Sequence, residues 1–496
     1  MFNLENQVNV RIAVDLGANS GRVMAAIPSS GILMLTEIHR FENFTIELPT
    51  GLYWNIVGLY HEILTGLQKA IETHGENIAS LGIDTWGCDF GLFDHSGELI
   101  GLPHQYRDPR FEGMAEKMHN LMSEDDIFSH TGIKTNFYNS SLHLLSLKLR
   151  ESKSLSQAGN ILFIPDILAY WLTGVKAVER TNASTSQLLD AETGQWSHEV
   201  ISALGLPDRI FGNIVSPGTV LGPLRATLKD SLGRSDIPFV VAPCHDTASA
   251  VAGIPLTEEE PLWLSSGTWS IMGVERKHPI RSYEALAAGF CNELGVNNTV
   301  RFLKNIAGLW LIQECKRQWD KEGHSHSFAA LAEMAEAAEP FSAFINPDDA
   351  VFASPGNMPE KVRNYCEKTG QAVPESLGQI LRVATESLAL KYRYVYENIC
   401  QLTGRTYSRL HAGGGGIQNQ LLCQATANAL GIEVLAGPVE ATSCGNIITQ
   451  MIATSEVPNF PAGRQLIRES FEFVTYTPKD QEKWDKAYAV FLKLIG

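Results

Sequence analysis

The pattern of apolar and polar positions divides the chain into short β-like runs and amphipathic helical stretches. Val10 to Val14 (VRIAV) is a β-branched apolar run that ends in Asp15-Leu16-Gly17. The small, polar stretch Ala18-Asn19-Ser20-Gly21 follows, and apolar character resumes from Arg22 to Ile27. Ser29-Ser30-Gly31 punctuates before a third run, Gly31 to Phe41, so three strands joined by short turns are expected as an antiparallel meander. Leu59, Ile63, Leu67, Ala70 and Ile71 recur at helical spacing and predict a helix over Leu59 to Thr73. A buried strand, Ser80 to Asp84, comes next, with Trp86-Gly87 at its carboxyl end.

Three strands, a helix and a fourth strand form the opening of an RNase H-like half, and a comparable opening recurs later. Pro238 to Pro243 reads as an apolar strand and Thr247 to Gly253 as a helix of small residues. Leu262 to Leu264 leads into Ser265-Ser266-Gly267-Thr268, and Trp269 to Val274 resumes as a strand. Strand, small polar turn, strand is the device of residues 10–27 again, which predicts a second half on the same plan. Leu377 to Leu402 is a long helical pattern, followed by Arg409-Leu410-His411, the glycines Gly413 to Gly416, a helix over Gln420 to Leu430 and a strand over Ile432 to Ala436. The segment Ser216 to Gly222, with the polar stretch on to Asp236, is the expected crossing between the halves. The domains are accordingly set at 1–240 and 241–496.

Composition narrows the class. A chain of 496 residues is expected to hold about two to three domains. With 44% hydrophobic and 19% charged residues it is globular rather than disordered. Lys and Arg total 39 against 55 Asp and Glu, a net charge of −16, which disfavours nucleic acid and an anionic membrane surface as partners. A small anion remains possible, because backbone N–H groups hold phosphate without net basicity. The N-terminus lacks the basic region and cleavage site of a leader, and no apolar run reaches the roughly 18 residues of a membrane helix. None of the eight cysteines stands at CxxC spacing, so a reduced, cytoplasmic enzyme is expected, as monomer or homodimer.

Four segments carry candidate chemistry. The tight turn Ala18 to Arg22 lets backbone N–H groups approach an anion, and Asp15 at the strand end suits a Mg²⁺-bound water, although an ordinary hairpin would look the same. No Walker A pattern is present. The turn at Thr268 is a second such loop, and two of them suit ATP. In CHDTASA, Asp246 stands at an expected helix N-cap, where it either caps the helix or, as an ionised carboxylate, accepts a hydroxyl proton. His245 and Thr247 would then hydrogen-bond a polyol. The glycines ahead of Ile417 let backbone lie flat against a planar ligand, and they miss the GxGxxG spacing. Weaker candidates are Trp86, for stacking on a sugar, and the polar residues Lys304, Asn305 and Gln313. His324-Ser325-His326 has no third ligand nearby.

With these elements in order, the chain resembles the FGGY carbohydrate kinases of the actin/hexokinase/Hsp70-like superfamily over about residues 10 to 480. The matching segments are AVDLGANSGRVM, IDTWGCDF, GLPHQYRDPR, CHDTASAVA, LSSGTWSIMG, KNIAGLWLIQ and AGPVEATSCGN. Pro165 stands where sugar kinases generally carry a lysine, which marks a subfamily. The resemblance implies an α/β fold of two RNase H-like domains flanking an ATP/sugar cleft. It implies that Asp246 is the proton acceptor and that Gly87, His245, Asp246, Thr247 and Asn305 contact the sugar. Ala18, Asn19, Ser20, Gly21, Arg22, Thr268, Gln313, Gly414, Gly415 and Gly416 would bind ATP, with Asp15 the Mg²⁺-side carboxylate. An actin-like or chaperone ATPase would share the loops but needs no HDT triplet, and no strand-rich block follows residue 440 to serve as a peptide-binding domain.

Overall fold

The computed structural model describes residues 9–29 and 31–495. Residues 1–8, read above for a leader, and Ser30, placed above in a turn, lie outside the described residues. The chain divides into two compact units. Unit 1 holds the chain up to Pro255, Glu275–Phe302 and Ala441–Phe471; unit 2 holds Leu256–Val274, Leu303–Glu440 and the chain from Glu472 on.

In unit 1 the meander forms as expected. β1 (Val10–Leu16), β2 (Ser20–Ser29) and β3 (Ile32–Glu42) pair antiparallel in sequence. Helix α1 (Ile56–His74) returns the chain to β4 (Ile78–Thr85), which lies parallel to β1. The sheet is completed by β5 (Val220–Pro223) and β6 (Pro238–Val240), in the order β5-β6-β4-β1-β2-β3. Two sequence expectations fail here. The segment 216–236 is not the crossing, because β5 hydrogen-bonds to β6 as the edge strand of unit 1, and the first change of unit follows Pro255. The strand expected to reach Pro243 stops at Val240, and the chain continues into α2 (Asp246–Gly253).

β1 is central and all seven of its residues are buried. Alternation sends Ile12 and Val14 to one face, against Leu59, Ile63 and Leu67 of α1. Ala13 faces the other way, with Met24, Ala26 and Leu33.

Unit 2 repeats the plan. β7 (Leu262–Ser266) pairs antiparallel with β8 (Trp269–Arg276) and parallel with β10 (Arg409–Gly413), with β9 (Val300–Ala307) beyond β8. β11 (Glu433–Ala436) lies parallel to β10 and antiparallel to β12 (Val474–Tyr476). This sheet has seven strands, with Cys291–Leu294 beyond β9; the other six, β12-β11-β10-β7-β8-β9, occupy the positions of β5-β6-β4-β1-β2-β3, except that the edge strand precedes its neighbour along the chain in unit 1 and follows it in unit 2. The long helix α3 (Leu377–Thr403) precedes β10, and α4 (Gln420–Leu430) joins β10 to β11. The chain then returns to unit 1 in α5 (Ala441–Ala453), whose Ile447 and Met451 cover the Ala13 face of the first sheet. None of the eight cysteines forms a disulfide among the described residues. No described helix is long and apolar enough to cross a membrane.

Candidate functional site

Unit 1 gathers its candidate residues at the carboxyl ends of β1 and β4. The turn after β1 is closed by the Gly17 N–H donating to the Ser20 carbonyl (2.8 Å). Asn43, which carried no sequence signal, pins it from the side by donating Nδ2 to the Gly17 carbonyl (2.9 Å). Asn19 and Ser20 are left exposed and Ala18 half-buried. Gly21 has a plainer reason to be glycine: a Cβ there would meet the Phe41 ring and Leu16. Asp15 and Arg22 are cross-strand partners, and the guanidinium lies 2.6 Å from Asp15 Oδ2.

Asp15 also sits beside Asp84 in the β1–β4 register. Asp84 is fully buried and accepts a hydrogen bond from Asn446 Nδ2 of α5 (2.6 Å). Burial first, and then the neighbouring charges of Asp15 and Asp246, push its proton affinity well above the usual carboxylate range. Asp84 was not singled out above, although it ends an apolar strand just as Asp15 does.

The Thr85 N–H donates to the Cys244 carbonyl (2.8 Å), which ties the Trp86-Gly87 corner to the CHDT segment. That segment is held from behind by the buried Glu179, whose Oε2 accepts from the Cys244 N–H (3.1 Å), while Thr181 Oγ1 accepts from the His245 N–H (3.2 Å). Neither residue was legible in the sequence. Gly87 lies against Thr185, whose Oγ1 a Cβ would approach to 2.9 Å. Trp86, read above as a stacking surface, is packed into the interior. It is buried, its ring 4.1 Å from that of Trp54, and its indole N–H donates to Asp89 (2.9 Å).

Asp246 is not the N-cap. His245 occupies that position and makes no side-chain capping bond, while Asp246 is the first helical residue of α2. Its Oδ1 lies 2.5 Å from the Thr247 N–H, 3.1 Å from Thr247 Oγ1 and 3.4 Å from His245 Nε2. Oδ2 has no protein partner among the described residues, and the side chain keeps 35% of its surface open. Burial raises the proton affinity of this carboxylate, the His245 charge counters it, and Asp15 adds to it.

Unit 2 assembles its own candidates around the β7–β8 turn. The N–H groups of Leu309 and Trp310 donate to the carbonyls of Gly267 and Thr268 (3.0 and 3.1 Å), which docks the start of the helix Trp310–Lys321 on that turn. Gln313 lies one turn into this helix, and Asn305 is half-buried on β9. Gly308 permits the approach: a Cβ there would come within 2.5 Å of the Ser270 nitrogen. On the other side Gly414, at φ 91°, and Gly416 lie flush against Ser266, while Gly415 faces open space. Backbone contacts that need glycine thus set the start of the Trp310–Lys321 helix and the Gly414–Gly416 run against the β7–β8 segment that carries Thr268.

Among the described residues no group of three His, Cys, Asp or Glu side chains is arranged to hold a metal, His324 and His326 included. A cavity of about 420 Å³ in unit 1, lined by Leu48, Tyr53, Phe90, Arg110 and His143 among others, contains none of the candidate residues.

Comparison with known proteins finds matches along most of the chain. The family model for the N-terminal domain of the FGGY carbohydrate kinases matches residues 10–253, and that for the C-terminal domain matches residues 262–454. A rhamnulokinase from Bacteroides thetaiotaomicron is 44% identical over 97% of this chain and 99% of its own. One from Enterococcus faecalis is 40% identical over 97% of each. Among solved structures, a gluconate kinase from Lactobacillus acidophilus superposes with a TM-score of 0.81 over 98% of each chain, at 13% identity, a likeness of fold alone.

Proposed function

The chain belongs to the FGGY family of carbohydrate kinases, and from that premise we propose that it transfers the γ-phosphoryl group of ATP to O1 of L-rhamnulose, giving L-rhamnulose 1-phosphate and ADP. The choice of sugar is supported by relatives that carry the name rhamnulokinase and align along nearly the whole chain. The chemistry is carried by one observation, the asymmetry of the Asp246 carboxylate: Oδ1 is occupied by Thr247 and His245, and Oδ2 is bare.

Phosphoryl transfer needs a positioned hydroxyl and a site that takes its proton as the bond to phosphorus forms. With Oδ1 anchored, the sugar O1–H donates to Oδ2 and Asp246 accepts the proton. Raised proton affinity makes this carboxylate a better acceptor than an exposed one. Gly87, His245, Thr247 and Asn305 are assigned to the sugar. The turn Ala18–Arg22, exposed at Asn19 and Ser20, is assigned to phosphate through its backbone N–H groups, while Thr268, Gln313 and Gly414–Gly416 are assigned to the nucleotide.

Mg²⁺ fits the donor set. The proton affinity of Asp84 is raised by burial first and then by the charges of Asp15 and Asp246, and a cation that arrives with phosphate oxygens would relieve that repulsion. Asp15, the less enclosed of the paired Asp15 and Asp84, would meet it through water, and the bound ion would neutralise charge on the transferring phosphoryl group.

The test is Asp246→Asn, assayed by ADP release against L-rhamnulose, L-fuculose, D-xylulose and glycerol. The unsubstituted enzyme should prefer L-rhamnulose and place phosphate on O1. In the variant kcat should fall by about 10²–10⁴-fold, the range for a lost general base. Melting should shift little, since replacing a carboxylate in the first helical turn costs about 0.3–1 kcal/mol. A folded variant with turnover within about threefold of the parent, far short of that range, would remove Asp246 from the chemistry. Phosphate on another hydroxyl would remove the substrate assignment.

A further inference from the structure

Glu293 and Arg301 have no role in the reaction as described so far, yet they form an enclosed ion pair beside the CHDT segment. The side-chain exposures of Arg301 and Glu293 are 0% and 9%, and Arg301 NH2 lies 3.1 Å from Glu293 Oε2. Both groups meet the same edge of one imidazole. His245 Nδ1 is 3.2 Å from Arg301 NH2 and 3.2 Å from Glu293 Oε2. The opposite ring nitrogen, Nε2, faces Oδ1 of Asp246 at 3.4 Å. Arg301 is itself fixed by Nε donating to the Leu294 carbonyl (3.2 Å). The nearby acids are engaged elsewhere: Glu275 pairs with Arg464 (3.0 Å), and Glu179 accepts from the N–H groups of Thr181, Asn182 and Cys244.

A buried ion pair adds little net stability over apolar residues of similar volume. It does impose direction, because a guanidinium only donates and a carboxylate only accepts. Placed together at Nδ1, they suit either state of that nitrogen. A bare Nδ1 accepts from Arg301, and a protonated Nδ1 has the Glu293 carboxylate beside it at ion-pair distance. The ring therefore keeps its orientation whichever protons it carries.

We propose that Glu293 and Arg301 are positioning residues for phosphoryl transfer, holding His245 by its Nδ1 edge so that Nε2 fixes Oδ1 of Asp246 and leaves Oδ2 to the sugar hydroxyl, which rests on Asp246 being the base. Their effect passes through His245.

The experiment is a double-mutant cycle on the full chain, with steady-state kinetics for both substrates and thermal melting. Glu293→Gln keeps the side chain's shape and removes its charge. Its kcat should fall by about 10–100-fold, as for a reacting group displaced by an ångström or less, with the KM for ATP within about twofold of the parent. In a His245→Gln background, adding Glu293→Gln should lower kcat by no more than about twofold further, because the two act in series. Glu293→Gln leaves Arg301 unpaired and risks misfolding, so the pair Glu293→Gln/Arg301→Met is the companion. With both charges gone it should melt close to the parent and keep the low kcat.

A folded Glu293→Gln/Arg301→Met enzyme with parental kcat overturns the proposal, as do single effects of Glu293→Gln and His245→Gln that multiply. Asp246→Asn separates the two levels. If that variant loses turnover while Glu293→Gln/Arg301→Met keeps it, only the positioning role fails. If Asp246→Asn itself turns over normally, the base assignment fails and the positioning role falls with it.

Discussion

Gly445 is where the packing of unit 1 most directly meets its chemistry, and Gly445→Ala tests that link. Gly445 lies in α5, and a Cβ added to it would land on the carbonyl oxygen of Ser249 in α2, with the Ser249 carbonyl carbon at 2.7 Å and the Gly253 nitrogen at 3.0 Å. The clash is mutual, since a Cβ on Gly253 would land on the Ala441 carbonyl oxygen and come within 2.7 Å of the Gly445 nitrogen. The two helices therefore cross backbone on backbone. Ser249 cannot step aside, because its N–H donates to the His245 carbonyl (3.0 Å) and its Oγ to the Pro243 carbonyl (2.9 Å). Alanine in a helix interior gains about 1 kcal/mol over glycine by propensity alone. Against that, forcing a methyl into a packed interior costs about 1–3 kcal/mol, and more when the obstacle is backbone. Taking the upper end, the net loss is about 2 kcal/mol, or roughly 3 °C in melting temperature for a body of about 300 residues. Because α2 begins at Asp246, its displacement also moves the carboxylate, and kcat should fall by about 10–100-fold. Differential scanning fluorimetry and a coupled ADP-release assay read both effects. A variant that melts at or above the parent and keeps its turnover would show that the helices part without cost and that Asp246 does not depend on their crossing.

Two further predictions concern single side chains. Asp89 is buried, accepts from the indole N–H groups of Trp54 and Trp86 (2.6 and 2.9 Å), and has its pKa pushed up to about 7 by burial. From about pH 4, where an exposed aspartate ionises, to about pH 7 the folded state keeps a proton that the unfolded state has lost, so this group makes stability fall as pH rises, by roughly 4 kcal/mol at most. Asp89→Asn should flatten the melting temperature between pH 5 and 8, and an unchanged pH slope would refute the assignment. In the glycine run, Gly415 faces open space while a Cβ on Gly416 would land on Ser266 Oγ. Gly415→Ala should leave melting within about 1 °C and raise the KM for ATP, whereas Gly416→Ala should lower melting by several degrees; the reverse order would contradict the packing.

What local pattern determines, it determined well here. Apolar spacing marks α4 at the bounds it has and α3 to within a residue, because burial of one face is encoded every three or four positions along the helix itself. The two small polar turns and the acidic residues beside them are equally local, so Ala18–Arg22, Thr268, Asp15 and Asp246 stand out before any fold is known. Helix ends are set by a finer balance, and Asp246 proved to be the first residue of α2 rather than its cap. Only the tertiary structure decides who lies across the sheet. Asp84 meets Asp15 because β1 and β4 pair in one register, and it meets Asn446 across 362 residues of chain. Glu293 and Arg301 reach His245 from a segment that joins unit 1 only after the chain has visited unit 2. Trp86, an aromatic at a strand end, turned inward because Trp54 and Asp89 were there to receive it. Contacts of this kind follow from strand pairing and close backbone approach between distant segments, and no periodicity along a single chain records them.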